Sequence, residues 1–216
     1  MNPAVEPTRV LAVRHGETAW NVDTRIQGQQ DIPLNDTGRW QAGRLARALA
    51  DEPLAAVYTS DLARARETAR ALVHGRGVAL RPDAGLRERG FGRFEGRTFA
   101  QIDADWPDEA ARWRRREPDF GPGGGEPLRD FYARCVATAT RLAAAHPGQT
   151  IALVAHGGVL DCLYRAAARI GLQAARTWQL GNASINRLLY TPAGFTLVGW
   201  SDTQHLQADA LDERSA

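Results

Sequence analysis

Residues 10–18 read Val-Leu-Ala-Val-Arg-His-Gly-Glu-Thr, a short β-branched apolar run that gives way at once to polar residues. An apolar run of this length that ends in a loop is typical of a buried strand. Residues 150–155, Thr-Ile-Ala-Leu-Val-Ala, have the same character and are followed directly by His156. The two stretches predict strands of one largely parallel sheet, each with a histidine just beyond its carboxyl end.

Helix and strand patterns alternate along the rest of the chain. The elements predicted after the first strand are a helix over 36–50 with Asp36 as N-cap, a strand over 54–59, a helix capped by Ser60 or Asp61 and running to about 74, a strand over 78–81, a helix over 128–145, a strand over 150–155, a helix from about 158, and a hairpin with strands over 185–190 and 195–200. This alternation predicts an α/β fold, a three-layer α/β/α sandwich with a mostly parallel central sheet.

The length of 216 residues is enough for one domain with a sizeable core and short for two. We therefore predict a single domain over 1–216 with its core at about 9–202. Periodicity is lost over about 90–127, where we expect a loop-rich insertion around one helix near 98–105. The polar tail, 203–216, is expected to be frayed.

Composition excludes several classes of protein. The longest apolar runs fall far short of the roughly 20 residues of a membrane helix, and the first eight residues lack the basic start and apolar run of a signal peptide, so we predict a cytoplasmic protein without membrane contact. Cys135 and Cys162 show no CxxC spacing and are expected to be reduced thiols. All 27 basic residues are arginines, but acidic residues are interspersed among them, which argues against a nucleic-acid partner.

Three side chains are predicted to meet at one edge of the sheet. His15 and His156 follow the first strand and the strand over 150–155, and Arg64 lies in the first turn of the helix after the second strand. Ligands of such sheets bind beyond the carboxyl ends of the strands. Helix N-termini after Ser60 and Gly158 are expected to add N–H donors there. The predicted ligand is an anion, phosphate above all; a surface Arg64 paired to Glu67 is the alternative for that residue.

Two histidines and two arginines can bind a phosphate, or one histidine can attack it. A neutral imidazole is a competent nucleophile when its tautomer is fixed and arginines neutralise the phosphoryl charge. The leaving oxygen then needs an acid, for which Glu88, beyond the third strand, is favoured and Glu17 is the alternative. Metal-dependent hydrolysis by His15, His156 and these two carboxylates lacks any metal-ligand spacing such as HExxH.

Five separate motifs in order along the chain support the phosphate hypothesis. They are Arg14-His15-Gly16-Glu17-Thr18 with Trp20-Asn21 and Gln27-Gly28, then Leu34-Asn35-Asp36-Thr37-Gly38, Ser60-Asp61-Leu62 with Arg64-Ala65, Leu86-Arg87-Glu88 with Phe91-Gly92, and Val154-Ala155-His156-Gly157-Gly158. This series closely resembles the histidine phosphatase superfamily, which includes the cofactor-dependent phosphoglycerate mutases. The resemblance implies a phosphoglycerate mutase-like fold.

The resemblance also implies roles for individual residues. His15 becomes a phosphohistidine, Glu88 donates the proton, and the phosphoryl oxygens are held by three side chains, Arg14, Arg64 and His156. Asn21, Gln27, Gly28 and Gly157 match positions at the phosphate pocket and its mouth, and Thr18 can offer its hydroxyl to the same oxygens. No metal and no cofactor is required.

The superfamily contains both mutases and phosphatases, and departures from the mutase pattern favour a phosphatase. The chain has no lysine to match the one that follows the mutase glutamate motif, and His156 is followed by Gly157-Gly158 rather than Gly-Asn. Residues 114–116, three arginines, could mimic the mutase's paired arginines, but a solvated helix face is the favoured interpretation. A mutase and a non-catalytic phosphate-binding module are the alternatives.

The substrate implied is a small phosphorylated metabolite. Candidates suggested by the resemblance are phosphoglycerate, glucosyl phosphoglycerate, sugar phosphates and a ribazole phosphate. Specificity is expected to come from the loops between Gly90 and Pro127. The terminal hairpin offers a sheet edge through which a homodimer could form.

Overall fold

The computed structural model describes residues 6–207. Its centre is a six-stranded sheet built from β1 (Thr8–Arg14), β2 (Leu54–Thr59), β3 (Leu80–Pro82), β4 (Thr150–Ala155), β5 (Ile185–Thr191) and β6 (Gly194–Asp202). The spatial order is β3-β2-β4-β1-β5-β6. The first four strands of that order run parallel, and β5 and β6 are antiparallel to their neighbours, so the predicted α/β class and mostly parallel sheet are confirmed.

Seven α-helices are present in the described residues: α1 (Ala19–Val22), α2 (Asp36–Ala48), α3 (Ala63–Val73), α4 (Phe99–Asp105), α5 (Pro107–Arg114), α6 (Leu128–Ala144) and α7 (Gly157–Ala168). One apolar cluster joins the sheet to α6 and α7, and a second joins the opposite face to α2 and α3. The sheet is thus the middle of three layers. No helix within residues 6–207 is both long and apolar enough to cross a bilayer.

Two predicted helix caps and one predicted strand differ in the structure. The N-cap of α2 is Asn35, not Asp36, because the Asn35 side chain accepts a hydrogen bond from the Gly38 amide at 2.7 Å. Helix α3 starts after Leu62 without a side-chain cap, so neither Ser60 nor Asp61 caps it. The third strand begins at Leu80, two residues later than predicted, after Gly77, which adopts φ +66°.

The segment over 90–127 holds two helices rather than the single one predicted. Helix α4 matches the prediction, but α5 follows directly after it, with Pro107 in its first turn. Ile102 of α4 and Ala110 of α5 pack around Phe94, which gives this segment a small core of its own. Of the tail expected to fray, 204–206 forms a short 3-10 turn, and 208–216 lies outside the described residues.

A close backbone contact holds the loop after β1 against α2. A Cβ atom built on Gly38 would lie 2.8 Å from the Glu17 amide nitrogen and closer still to the Glu17 carbonyl oxygen, and one on Gly16 would lie 2.5 Å from the Gly38 carbonyl oxygen. Only glycine permits so close an approach at both positions. The loop that carries His15 is therefore packed directly against the start of a helix.

We expect Gly38→Ala to lower the free energy of unfolding by about 1–3 kcal/mol, because the added methyl group forces the two backbones apart. Gly43→Ala in the same helix is the control: a Cβ there meets nothing within 4 Å, and replacing a helical glycine should stabilise by about 0.5–1 kcal/mol. Urea unfolding of both variants measures the difference. Equal effects would show that the contact is not tight.

Candidate active site

The carboxyl ends of β1, β4 and β2 bring the predicted side chains together. Arg14 pairs with Ala155 at the end of the β1–β4 ladder, so His15 and His156 leave the sheet side by side. A cavity of about 180 Å³, here called the phosphate pocket, opens at this edge. It is lined by Arg14, His15, Asn21, Arg25, Ile26, Gln27, Gly28, Arg64, Glu88, Phe91 and Gly157. Eight of the ten predicted site residues line it; Thr18 and His156 do not.

The ring of His15 is held in one orientation by its own loop. Its Nδ1 lies 2.7 Å from the carbonyl oxygen of Gly16, which can only accept, so Nδ1 carries the proton and donates it. Nε2 is then the unprotonated nitrogen with a free lone pair. The residue is 3% exposed, and the Gly16 amide in turn donates to Thr68 Oγ1 at 3.0 Å. This is the tautomer that a histidine nucleophile needs.

His156 stands beside His15, with 5.2 Å between the two ring centroids. Burial, reinforced by the positive charges of Arg64 and Arg14, lowers the pKa of His15 well below its ordinary value. Burial is also the main cause that lowers the pKa of His156, with Arg64 and His15 adding to it. Both rings are therefore neutral near pH 7. Neither nitrogen of His156 has a hydrogen-bond partner among residues 6–207, although the residue is fully buried.

Two arginines place buried donors at the pocket. Arg64, which is 1% exposed, donates from its two terminal nitrogens to the carbonyls of Gln30 and Gly28 at 2.7 Å each. Arg14 donates to the Leu180 carbonyl. The Nε atoms of both guanidinium groups are buried and lack a partner in the described part of the chain. Burial lowers the pKa of Arg64 to about 10 and also lowers that of Arg14, and Glu88 counteracts both shifts.

This clustering points to an anionic ligand. Buried polar groups are normally hydrogen-bonded, and leaving a charged donor unsatisfied is costly. Unpartnered donors of Arg14 and Arg64 at this small cavity, with the unpartnered ring of His156 beside His15, therefore fit a phosphate. The alternative of a surface Arg64 paired to Glu67 is wrong, because Arg64 is buried and Glu67 instead lies 3.6 Å from Arg39.

Glu88, rather than Glu17, reaches the pocket. Glu88 accepts hydrogen bonds from the amides of Arg89 and Gly158, at 2.8 and 2.9 Å. Glu17 is turned away, and its carboxylate accepts from the Asn35 side chain at 2.8 Å. Of the two carboxylates considered, only Glu88 lines the cavity that also holds His15.

The expectation that helix N-termini present free donors to the anion is wrong. The Gly158 amide at the start of α7 binds Glu88, and the Ala63 amide at the start of α3 donates to Asp31 at 2.6 Å. Carboxylates of the protein thus occupy both positive helix ends. Charge on the ligand side of the pocket comes from side chains instead.

Thr18 is likewise used inside the protein rather than at the pocket. Its hydroxyl donates to Asn21 Oδ1 at 3.1 Å and accepts from the Asn21 amide at 3.2 Å, forming a capping box at α1. The prediction that this hydroxyl reaches the phosphate oxygens is therefore not met. Asn21 itself lines the pocket, and Asn182, which the sequence analysis missed, donates to the carbonyl of His15 at 3.1 Å.

Glu95 braces the loop that supplies Gln27 and Gly28, and it too was missed from the sequence. Its carboxylate accepts from the amides of Gln29 and Phe91, at 3.0 and 2.9 Å. Gly28 adopts φ +53°, and a Cβ there would collide with this carboxylate. No periodicity in the sequence indicated what Glu95 would contact.

The three arginines at positions 114–116 make different contacts. Arg114 pairs with Asp103 and Arg115 with Glu117, both at the surface, which confirms a solvated face for these two. Arg116 instead turns inward to Asp161, at 2.7 Å. Among residues 6–207, no group of three or more His, Cys, Asp or Glu side chains is placed to hold a metal ion.

Comparison with known proteins agrees with this fold. The family model of the histidine phosphatase superfamily (branch 1) matches residues 10–203. A phosphoglycerate mutase-like protein of Arabidopsis thaliana is 36% identical over 207 residues, covering 94% of this chain and 89% of its own. YhfR of Bacillus stearothermophilus superimposes with a TM-score of 0.86 at 33% identity, covering 92% of this chain and 99% of its own.

A mycobacterial glucosyl-3-phosphoglycerate phosphatase in complex with VO₃ superimposes with a TM-score of 0.81 at 35% identity, covering 90% of this chain and 99% of its own. The chain has a mixed α/β fold, with His15 in a pocket that Arg14 and Arg64 also line. The chain belongs to the histidine phosphatase superfamily, and its solved structural neighbours include phosphatases.

The depressed pKa values predict a pH-dependent stability. An unfolded histidine takes up its proton as the pH falls through about 6.5, whereas folded His15 and His156 resist protonation. The stability that these residues contribute is therefore present above that pH and lost as the pH falls below it. We expect each to add up to about 1.4 kcal/mol per pH unit to the slope of unfolding free energy between its unfolded and folded pKa values.

Urea unfolding between pH 7.5 and 5 measures that slope. His156→Gln should make it shallower than in the wild type, whereas His74→Gln, at an exposed histidine after α3, should leave the profile parallel. Parallel profiles for all three proteins would contradict the assignment of a neutral, buried His156.

Proposed function

We propose that this protein is a metal-independent phosphomonoester hydrolase that acts on a small phosphorylated metabolite through a phosphohistidine at His15, with Glu88 as general acid and base. The observation that carries the proposal is the 2.7 Å hydrogen bond from His15 Nδ1 to the Gly16 carbonyl. It leaves Nε2 as a lone-pair nitrogen in a pocket whose arginines offer unpartnered donors.

The first half-reaction transfers the phosphoryl group to the enzyme. Nε2 of His15 attacks phosphorus while the bond from phosphorus to the alcohol oxygen breaks, and Glu88 gives its proton to that oxygen. Arg14 and Arg64 balance the charge on the phosphoryl oxygens in a site that is shielded from water, where such interactions are strongest. Neutral His156 donates one further hydrogen bond to the same oxygens.

The second half-reaction releases phosphate. Glu88, now a carboxylate, takes a proton from a water molecule whose oxygen attacks phosphorus. The bond between phosphorus and Nε2 breaks, inorganic phosphate leaves, and Glu88 is again protonated. His15 returns to its neutral form, so the enzyme ends the cycle as it began.

A phosphoglycerate mutase is the second candidate, because the Arabidopsis relative carries a mutase-like name. The two activities differ in the acceptor of the phosphoryl group, which is water in one case and a hydroxyl of a sugar acid in the other. The chain offers no lysine beside its glutamate motif, and Gly157-Gly158 follows His156 where a mutase has Gly-Asn. These departures support the hydrolase.

The first test is hydrolysis of p-nitrophenyl phosphate in excess chelator. We expect turnover to persist in chelator and to fall at least about 1,000-fold in His15→Ala, because the nucleophile is lost. Radiolabelled phosphate should be trapped on the wild type and not on the variant. Chelator-sensitive hydrolysis would overturn metal independence, and interconversion of 3- and 2-phosphoglycerate would favour the mutase.

A second test identifies the acid through its dependence on the leaving group. Glu88→Gln should slow hydrolysis of an alkyl phosphate by about 100- to 10,000-fold, because an alkoxide needs a proton to leave. Glu88→Gln should slow the phosphorylation step much less with p-nitrophenyl phosphate, because its leaving group departs readily as an anion.

Glu17→Gln is the matched control, since the amide oxygen can still accept from Asn35 and Glu17 does not line the pocket. It should retain the activity of the wild type on both substrates. The reverse pattern, with Glu17→Gln inactive and Glu88→Gln active, would transfer the role of the acid to Glu17.

A further inference from the structure

A second cavity, of about 200 Å³, adjoins the phosphate pocket and shares Glu88 and Phe91 with it. We name it the leaving-group cavity, because the proposed acid lies at the junction and the alcohol that it protonates must extend to this side. The cavity therefore has room for groups attached to the leaving alcohol oxygen.

The apolar residues that line the leaving-group cavity include Trp113, Leu128 and Phe131. Charged groups also line it, and most of them already have hydrogen-bond partners within the protein. Arg89 donates to the carbonyls of Glu126 and Phe120, at 2.8 and 2.6 Å. The guanidinium group of Arg89 is therefore already hydrogen-bonded to two backbone carbonyls of the protein.

Arg116 is paired with one oxygen of the Asp161 carboxylate, and the other oxygen, Oδ1, is buried without a hydrogen-bond partner in the described residues. Arg116 donates to Asp161 Oδ2 at 2.7 Å and to the Leu172 carbonyl at 2.6 Å. The same carboxylate oxygen accepts from Arg165, which is completely buried. Glu88 is held by two backbone amides, as described above.

Arg176 is different from these residues. It lines the leaving-group cavity, yet it forms no hydrogen bond or ion pair with any other residue in the range 6–207. It also lines a neighbouring cavity together with Arg14. The positive charge of Arg176 contributes to lowering the pKa of Arg14, because the two cations repel each other. No carboxylate in the range 6–207 forms an ion pair with Arg176. An anion between Arg14 and Arg176 would remove that repulsion.

The backbone on both sides of Arg176 is fixed from the protein interior. The buried Arg165 donates to the carbonyls of Gly171 and Ala174, at 2.6 and 2.9 Å. On the other side, Trp178 is buried and stacks on Tyr164, with 4.0 Å between ring centroids. The exposed side chain of Arg176 thus extends from an anchored segment beside the cavity.

We propose that Arg176 is a specificity-determining residue that binds a second anionic group, a carboxylate or a phosphate, on the leaving group of the substrate. The guanidinium fork matches either group. The proposal rests on the proposed function, because it takes the phosphate pocket as the place of the scissile phosphate. It assigns specificity to the segment between α7 and β5, in addition to the insertion over 90–127.

Calorimetric binding in a His15→Ala background, which prevents turnover, tests the proposal with two pairs of compounds. 3-Phosphoglycerate and glycerol 3-phosphate differ by a carboxylate, and fructose 1,6-bisphosphate and fructose 1-phosphate differ by a phosphate. In at least one pair, we expect the compound with the additional carboxylate or phosphate to bind about 10- to 100-fold more tightly than the other. This is the range of a charge-assisted hydrogen bond. The pair that shows the preference identifies the second group.

Arg176→Gln should abolish that preference without weakening glycerol 3-phosphate or fructose 1-phosphate, and Arg176→Lys should retain part of it. Arg70→Gln, at an exposed arginine of α3, is the control for loss of one positive charge and should change nothing. The proposal would be overturned if Arg176→Gln weakened the binding of both compounds of each pair equally, or if the His15→Ala protein showed no preference within either pair. Failure of the wild type to hydrolyse any phosphomonoester would overturn the proposed function instead and leave this binding result standing.

Discussion

The hydrogen bond from His15 Nδ1 to the Gly16 carbonyl is the interaction on which the site depends. It decides which nitrogen carries the proton, and so which one can attack. The bond is itself held in place, because Gly16 donates to Thr68 and packs against the backbone of Gly38. Contacts with two helices thus fix the loop that carries His15, and with it the orientation of the imidazole ring.

Burial of positive charge is the second constraint. Arg64 is almost entirely removed from water, and the cost of burying its charge is offset only partly by the carboxylates of Glu88, Asp31 and Glu95. An anionic ligand, as the proposed function requires, would supply the missing negative charge.

The sequence predicts the parts of the site that lie at strand ends. His15, His156 and Arg64 could be placed because parallel strands bring their carboxyl ends to one edge, and Glu88 because it follows the third strand. Residues that contact the site from distant parts of the sequence could not be predicted. Asn182 binds the His15 carbonyl across more than 160 residues, and no local pattern reports such a contact. The helix N-termini were misjudged for the same reason, since Glu88 and Asp31 reach them only in the folded chain.

The position of β1 within the sheet has a consequence for assembly. β1 lies between β4 and β5, so the sheet's free edges belong to β3 and β6. The β6 edge is two strands from β1, about 10 Å at the usual strand spacing. A second chain that paired with β6 would therefore extend the sheet without touching β1, the strand that His15 follows. Association at that edge would leave the proposed active site unobstructed.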